Sequence, residues 1–581
     1  MKTPSFFQRS ELAATLWLFR REFAVAMIFS MVVNILMLTP TLYMLQVFDR
    51  VMASRSELTL VALTLVMLFL FAVMGFAEWS RSRLLVRAGV RLDQQLNSRV
   101  FNASFEAYLN QLEHNPVQAF SDLTNVRQFL TGNGLFAFMD APWIPIYMVV
   151  LYLLHPMLGV LGLVFAALMI AVAFLSHRLT YRPIEQSAEA GVQASTYVHS
   201  KLRNAEVIES LGMLGDLRRR WMTRHQHHLT LNSRAQDMGH RIQALSKFLR
   251  YTQQSLALGA GALLVIDGKL TPGAMIAANV LMTRALQPID LMVSTWKPFL
   301  SARTAFVRLE ALLAKHPERD AGVIHPAPQG HMRIDNLTAT APGRASPILK
   351  GLTADFPAGE VVAVVGPSGS GKSTLARALV GIWPHVEGKV LIDGESIQSW
   401  DRDELGPHLG YLPQDIELFD GTIAENIARF GPVDPERVIR AAELAGVHDM
   451  ILRFPRGYDT TMGEAGSLLS GGQRQRIGLA RAMYGDPSVI VLDEPNSNLD
   501  DVGEAALVKA VQDLKSQGKT VFLITHRTNI VGVADRILVL RDGAIQLYGT
   551  RQEVIAATQP KAAPDGQEPA GGQGASALQP N

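Results

Sequence analysis

The sequence predicts two fused folds: an α-helical membrane domain of six transmembrane helices, then an α/β P-loop domain. Three observations predict this. Long apolar runs crowd into the chain before residue 300. Residues Gly366, Pro367, Ser368, Gly369, Ser370, Gly371, Lys372, Ser373 and Thr374 fit the phosphate-binding pattern Gly-x4-Gly-Lys-Ser/Thr. Further on, the apolar run Val489–Leu492 ends in Asp493 and Glu494. The bulk numbers agree, since 48% of the 581 residues are hydrophobic, high for a soluble enzyme. A formal net charge of +2 is too small to argue for a nucleic-acid partner. The chain has no cysteine, which excludes disulfides and thiolate metal sites.

Crossing roughly 30 Å of hydrocarbon takes about 20 mostly apolar helical residues. Six segments fit or nearly fit: Phe23–Tyr43, Leu58–Phe76, Phe136–Leu154, Met157–Leu175, Ser255–Ile266 with its preceding turn, and Met275–Leu300. The last two are polar at one end. The first apolar run is too long for the core of a cleavable signal peptide and lacks a small-residue cleavage pattern after it. Short connections join the segments in pairs. The long connections after the second and fourth segments carry most of the arginines, including Arg81, Arg83, Arg87, Arg91, Arg99 and Arg127, then Arg178, Arg182, Arg203, Arg218, Arg219, Arg220 and Arg224. The positive-inside rule places both long connections, and both ends of this half, in the cytoplasm. Their pattern is helical, so the membrane helices are expected to run well beyond the bilayer. Arg284 and Asp290 flank Pro288 in the sixth segment. They read either as lining a path through the membrane or as wetted by cytoplasm, and Pro288 is expected to loosen the helix.

The expected divisions are 1–22, an N-terminal cytoplasmic segment; 23–313, the membrane domain; 314–330, a linker rich in Pro, His and charge; 331–556, the P-loop domain; and 557–581, a tail without the apolar residues to bury a core.

In the second half, the β-branched run Val361–Val365 reads as a buried strand, and Leu375–Leu379 as a helix. Between them, backbone N–H groups of the glycine-rich loop would ring phosphates at a helix start. Lys372 would reach the terminal phosphates, and Ser373 would hold Mg2+. Asp493, at a strand end, supplies the second contact to Mg2+, and Glu494 is placed to polarise an attacking water. Ser470, Gly471, Gly472 and Gln473 open another helix and offer a second anion site. Two such sites with one Mg2+ set point to a two-fold dimer, each nucleotide lying between the P-loop of one copy and Ser470–Gln473 of the other.

These motifs, in this order over residues 331–556, resemble the ATP-binding-cassette family, whose signature is matched by Leu469–Gln473. The resemblance implies that Gln414 is the glutamine that senses Mg2+ and the membrane domain, that Ser497–Asp500 is the D-loop, and that His526 contacts the γ-phosphate. Two stretches depart from it. Ala341 stands where exporters of the family usually carry an aromatic that stacks on adenine, and Thr461–Gly466 matches the pattern before the signature only partly. In the membrane half, Leu42–Val51 and Asp140–Tyr147, followed by His155 and Pro156, resemble the ATPases of type I secretion systems, the PrtD/HasD/AprD group. That resemblance implies an exporter-type membrane domain and a homodimer in the bacterial inner membrane with its ATP-binding domains in the cytoplasm. It also implies a periplasmic adaptor, an outer-membrane channel of TolC type, and an unfolded protein cargo with an uncleaved C-terminal signal. Some relatives carry an N-terminal peptidase-like domain, which is expected to be absent here. Closure of the cassettes would reach the membrane through the long helices, near His114–Phe120 and Glu206–Met213. A lipid or small-molecule exporter with the same engine stays open. So does an ATP-gated channel or regulator, although Glu494 and His526 argue against a cassette that does not turn over.

Overall fold

The computed structural model describes residues 10–110, 116–202, 204–318, 325–341, 343–344, 346–463, 469–525 and 527–558. Several sequence expectations fall outside these residues: His526, His114, Arg203, Pro342, Glu464–Gly466, part of the linker and nearly all of the tail. The chain divides into two compact units, Met1–Glu318 and Arg319–Asn581.

The first unit is built of helices joined by short turns, with no strand among its described residues. Four helical stretches are long and apolar enough to cross a membrane: Arg20–Ser54, Glu57–Leu109, Gln118–Leu154 and Pro156–Leu202. The fifth and sixth expected segments lie in helices Leu214–Ile266 and Pro272–Ser294, which fall short of that apolarity among the described residues. Several spans are not single rods. The first breaks after Leu36 and resumes at Thr39, with Pro40 in the new first turn, where its missing N–H costs nothing. The third is interrupted by a 3-10 turn, Ala141–Trp143. The sixth ends at Ser294, and a separate helix runs from Trp296 to Lys315. The described parts of the long connections are mostly helical, as expected. Glu57–Leu109 and Leu214–Ile266 have 53 residues each, about 80 Å at the α-helical rise, well over the hydrocarbon thickness. Leu58, Leu65, Phe69 and Phe76 are exposed along the first of these, the face that lipid would cover.

Buried polar side chains fasten the bundle where the sequence looked merely basic. The Arg81 side chain is 5% exposed and donates to Ser30 Oγ and Asp140 Oδ1, both at 2.9 Å. Asn34 Nδ2 donates to the same carboxylate oxygen at 2.8 Å, and Tyr147 OH donates to the Asn34 carbonyl at 2.7 Å. Arg81 also lies over the Phe136 ring, 4.4 Å from its centroid. One charged cluster thus joins the first three spans. Arg99 similarly holds Glu11 and the Leu313 and His316 carbonyls. The Leu42–Val51 stretch ends in a π-helical turn, Val47–Val51. There the Asp49 carboxylate accepts from Gly273 N at 2.8 Å and from Thr271 Oγ1, capping helix Pro272–Ser294. The Asp290 side chain, 30% exposed, accepts from Ser246 Oγ at 2.6 Å and from Arg250 Nη1 at 3.0 Å.

The second unit holds a six-stranded sheet and a four-stranded antiparallel sheet. The strands are β1 (Met332–Thr340), β2 (Pro347–Phe356), β3 (Val361–Val365), β4 (Val386–Ile392), β5 (Glu395–Ser396), β6 (Leu409–Leu412), β7 (Gly421–Thr422), β8 (Thr461–Met462), β9 (Val489–Asp493), β10 (Thr520–Ile524), β11 (Arg536–Arg541) and β12 (Ala544–Thr550). The larger sheet has the order β12-β11-β3-β10-β9-β6, parallel except for the β12 edge; the smaller is β2-β1-β4-β5. β3, β9 and β10 are buried almost throughout, which is why each reads as an unbroken apolar run. Their carboxyl ends open on one edge, where ligands of such sheets bind.

Candidate ATP site

Strand β3 delivers the glycine-rich loop to that edge. Gly366 cannot carry a side chain: a Cβ there would stand 2.1 Å from the Leu540 carbonyl. Gly369 and Gly371 have φ of +79° and +100°, the left-handed region in which glycine costs least. Gly371 opens helix Lys372–Leu379, so its first N–H groups face the loop. Lys372 is buried and donates to the Gly366 and Pro367 carbonyls, each at 3.0 Å, across the loop mouth. Ser370 Oγ, in the same loop, is buried without a hydrogen-bond partner among the described residues. Such a loop, with a lysine and free helix amides, fits a polyphosphate.

Strand β9 places the acids. Ser373 Oγ donates to Asp493 Oδ1 at 3.2 Å. Burial pushes the Asp493 carboxyl above its ordinary value; the Ser373 hydrogen bond opposes the rise and the Glu494 charge adds to it. A buried carboxylate beside a P-loop hydroxyl is a hard oxygen pair suited to Mg2+. Glu494 adopts φ +49°, a left-handed conformation worth about 1–2 kcal/mol of strain for a side-chain residue. Its N–H is held by the Ile524 carbonyl of β10 at 3.0 Å. Its carboxylate oxygen Oε2 accepts from Gln414 Nε2 at 3.2 Å. The expected Gln414, Ser373, Asp493 and Glu494 therefore gather at the ends of β6, β3 and β9.

Ser470 to Gln473 open helix Gly471–Met483 with a reciprocal cap: Gln473 N donates to Ser470 Oγ at 3.3 Å, and Ser470 N donates to Gln473 Oε1 at 2.9 Å. Gly472 must be glycine, since a Cβ would lie 2.7 Å from the Asn498 carbonyl. Asp500, in the expected D-loop, caps helix Asp501–Ser516 and accepts from Arg476 Nη2 at 2.8 Å. Ala341 follows β1, and the Trp383 indole N–H donates to the adjacent Thr340 carbonyl at 3.0 Å.

Sequence reasoning missed one buried and one half-buried side chain here. Gln475 is 1% exposed and bonded to the Glu494–Asn498 turn. Its signal was available: Gln475, Gly478, Leu479 and Ala482 share one helix face that is otherwise apolar. Arg429 donates to the Gly406, Leu409, Arg481 and Ala482 carbonyls at 2.7–3.1 Å, tying the strand before Gln414 to the end of the signature helix. Burial lowers its guanidinium to about 10. Nothing in its local sequence announces that role.

A helical membrane unit fused to this P-loop unit is the architecture of an ATP-hydrolysing transporter. Residues 23–289 match the ABC transporter transmembrane region, and residues 349–497 match the ABC transporter family. The chain is 42% identical over 528 residues to the type I secretion system ATP-binding protein PrsD of Rhizobium meliloti (strain 1021), covering 90% of this chain and 91% of that protein. It is 31% identical to the leukotoxin translocation ATP-binding protein LktB of Mannheimia haemolytica over 92% of this chain and 77% of that protein. Its fold is that of a bacterial Atm1-family ABC exporter solved with ATP bound, with a TM-score of 0.79 and 22% identity over 93% of this chain and 96% of that one. The chain belongs to the type I secretion ATP-binding proteins of the ABC transporter family, and it is a multi-pass membrane protein.

Proposed function

We propose that this chain forms a homodimer in the bacterial inner membrane, crossing it with six helices per copy, and uses ATP hydrolysis in the cytoplasm to export an unfolded protein. The observation that carries the engine is the meeting of Ser373, Asp493, Glu494 and Gln414 at one sheet edge. The Gly366–Gly371 amides would bind the β- and γ-phosphates, with Lys372 leaving the loop carbonyls to reach them. Ser373, Asp493 and Gln414 would hold Mg2+, which would neutralise charge on the transferred phosphoryl group. Glu494 would orient and polarise the attacking water, and His526 would contact the γ-phosphate. Ser470–Gln473 of one copy would cover the nucleotide on the P-loop of the other, so ATP would draw two cassettes together and hydrolysis would release them.

The cargo reading rests on the PrsD and LktB likeness. The exported protein would carry an uncleaved C-terminal signal, and a periplasmic adaptor and an outer-membrane channel of TolC type would complete the path. The direct test of the engine is ATP turnover by purified Glu494→Gln protein. Turnover should fall by at least about 10²-fold while ATP still binds; near wild-type turnover would refute the assignment.

A further inference from the structure

We propose that Gln475 is a positioning residue for hydrolysis: its buried carboxamide fastens the signature helix to the main chain that carries Glu494. A glutamine amide offers two donors and one oxygen acceptor. Here Nε2 donates to the Glu494 carbonyl at 3.1 Å and to Ser497 Oγ at 3.4 Å, while Oε1 accepts from Asn498 N at 2.9 Å. The side chain is 1% exposed, so water cannot substitute for these partners. Glu494 needs such a hold. Its left-handed φ turns the chain out of β9 just as the carboxylate must be aimed. The Ile524 carbonyl fixes its N–H from β10; Gln475 and Ser497 N, the latter at 3.2 Å, fix its carbonyl from the other side.

The consequence reaches across the two nucleotides. Gln475 lies five residues beyond Ser470 on the same helix. In the dimer proposed above, Ser470 touches the nucleotide on the partner's P-loop, whereas Glu494 serves the nucleotide on its own. A shift of the signature helix on engaging one ATP is therefore delivered by one side chain to the base at the other. This rests on the Glu494 and Ser470 roles of the preceding section.

The test uses full-length protein in lipid nanodiscs, with kcat, KM for ATP, ATP affinity and Tm measured for Gln475→Leu, Gln475→Glu and Glu494→Gln. Gln475→Leu should lower kcat about tenfold or more, as expected for losing buried hydrogen bonds that aim a catalytic group. KM and ATP affinity should stay within about twofold, because no phosphate contact changes. Gln475→Glu keeps the acceptor for Asn498 N but donates to the Glu494 carbonyl only when protonated. Its kcat, relative to wild type, should rise as pH falls, and it carries the test by itself if the leucine variant does not fold. Unchanged kcat in Gln475→Leu, or a Gln475→Glu profile parallel to wild type, would overturn the proposal. Glu494→Gln separates the two readings: if it too turns over normally, the base assignment fails first, whereas a dead Glu494→Gln beside an active Gln475→Leu refutes the positioning role alone.

Discussion

Replacing Arg81 by methionine tests whether the first three spans are held by a buried charge or by apolar packing alone. The methionine side chain would keep much of the stem volume but remove both 2.9 Å bonds, to Ser30 Oγ and Asp140 Oδ1. Asp140, with its side chain 18% exposed, would keep Asn34 as its described partner. Removing one member of a buried pair costs about 3–5 kcal/mol, mostly because the other charge stays desolvated. Since Asp140 retains one hydrogen bond and some exposure, the lower end, about 3 kcal/mol, is the expected loss. Arg81→Met combined with Asp140→Asn removes both charges and should recover most of that loss, because the asparagine can still accept from Asn34. The assay is thermal unfolding of the detergent-purified protein, followed by monodispersity after heating. A single variant as stable as wild type, or a double variant no better than the single, would refute the claim that the pair fastens the bundle.

Three other outcomes are expected. Asp493→Asn should raise the Tm of nucleotide-free protein at neutral pH and shrink the further rise caused by Mg2+ and ATP. The sign follows from the raised value in the folded state: the contribution of Asp493 to stability is fully present below the ordinary carboxylate value and is lost as pH rises through the folded one, and asparagine fixes the uncharged form. A lower nucleotide-free Tm would contradict this. Gly366→Ala should weaken ATP binding and lower Tm together, since its Cβ would meet the Leu540 carbonyl at 2.1 Å; equilibrium nucleotide binding and a melting curve check it. A mixed dimer with Lys372→Ala in one copy and Gly471→Asp in the other should retain one site with wild-type-like ATP affinity, because the composite arrangement puts both lesions in the other site. Two equally impaired sites would show that each is built within one chain.

The cassette was more legible in the sequence than the membrane unit, for a physical reason. Phosphate binding demands particular residue types at fixed spacings, so Gly366–Thr374, Gln414, Ser470–Gln473 and Asp493–Glu494 announce themselves. The gathering of Gln414, Ser373, Asp493 and Glu494 then follows from parallel strands ending on one edge. The membrane spans were visible as apolar runs, but their breaks were not. The π-helical turn at Val47–Val51, for one, carries Asp49, whose partner Gly273 lies 224 residues on. Arg81 illustrates the same limit. In the sequence it is one of several arginines in the first long connection, yet it turns inward to Asp140, 59 residues on. Arg83 and Arg87 stay exposed. Gln475 was overlooked for a different reason: it stands next to a motif whose better-known positions explained the stretch without it.

The central claim is that this engine exports a protein, and the most direct measurement is secretion in cells carrying the chain, a matching adaptor, a matching outer-membrane channel and a candidate cargo encoded beside them. Secretion should require the cargo's C-terminal segment, should stop with Glu494→Gln, and should jam when a fast-folding, stable domain is fused to the cargo. Secretion that persists without the cargo's C-terminus, or with Glu494→Gln, would contradict the account and favour export of a lipid or small molecule instead.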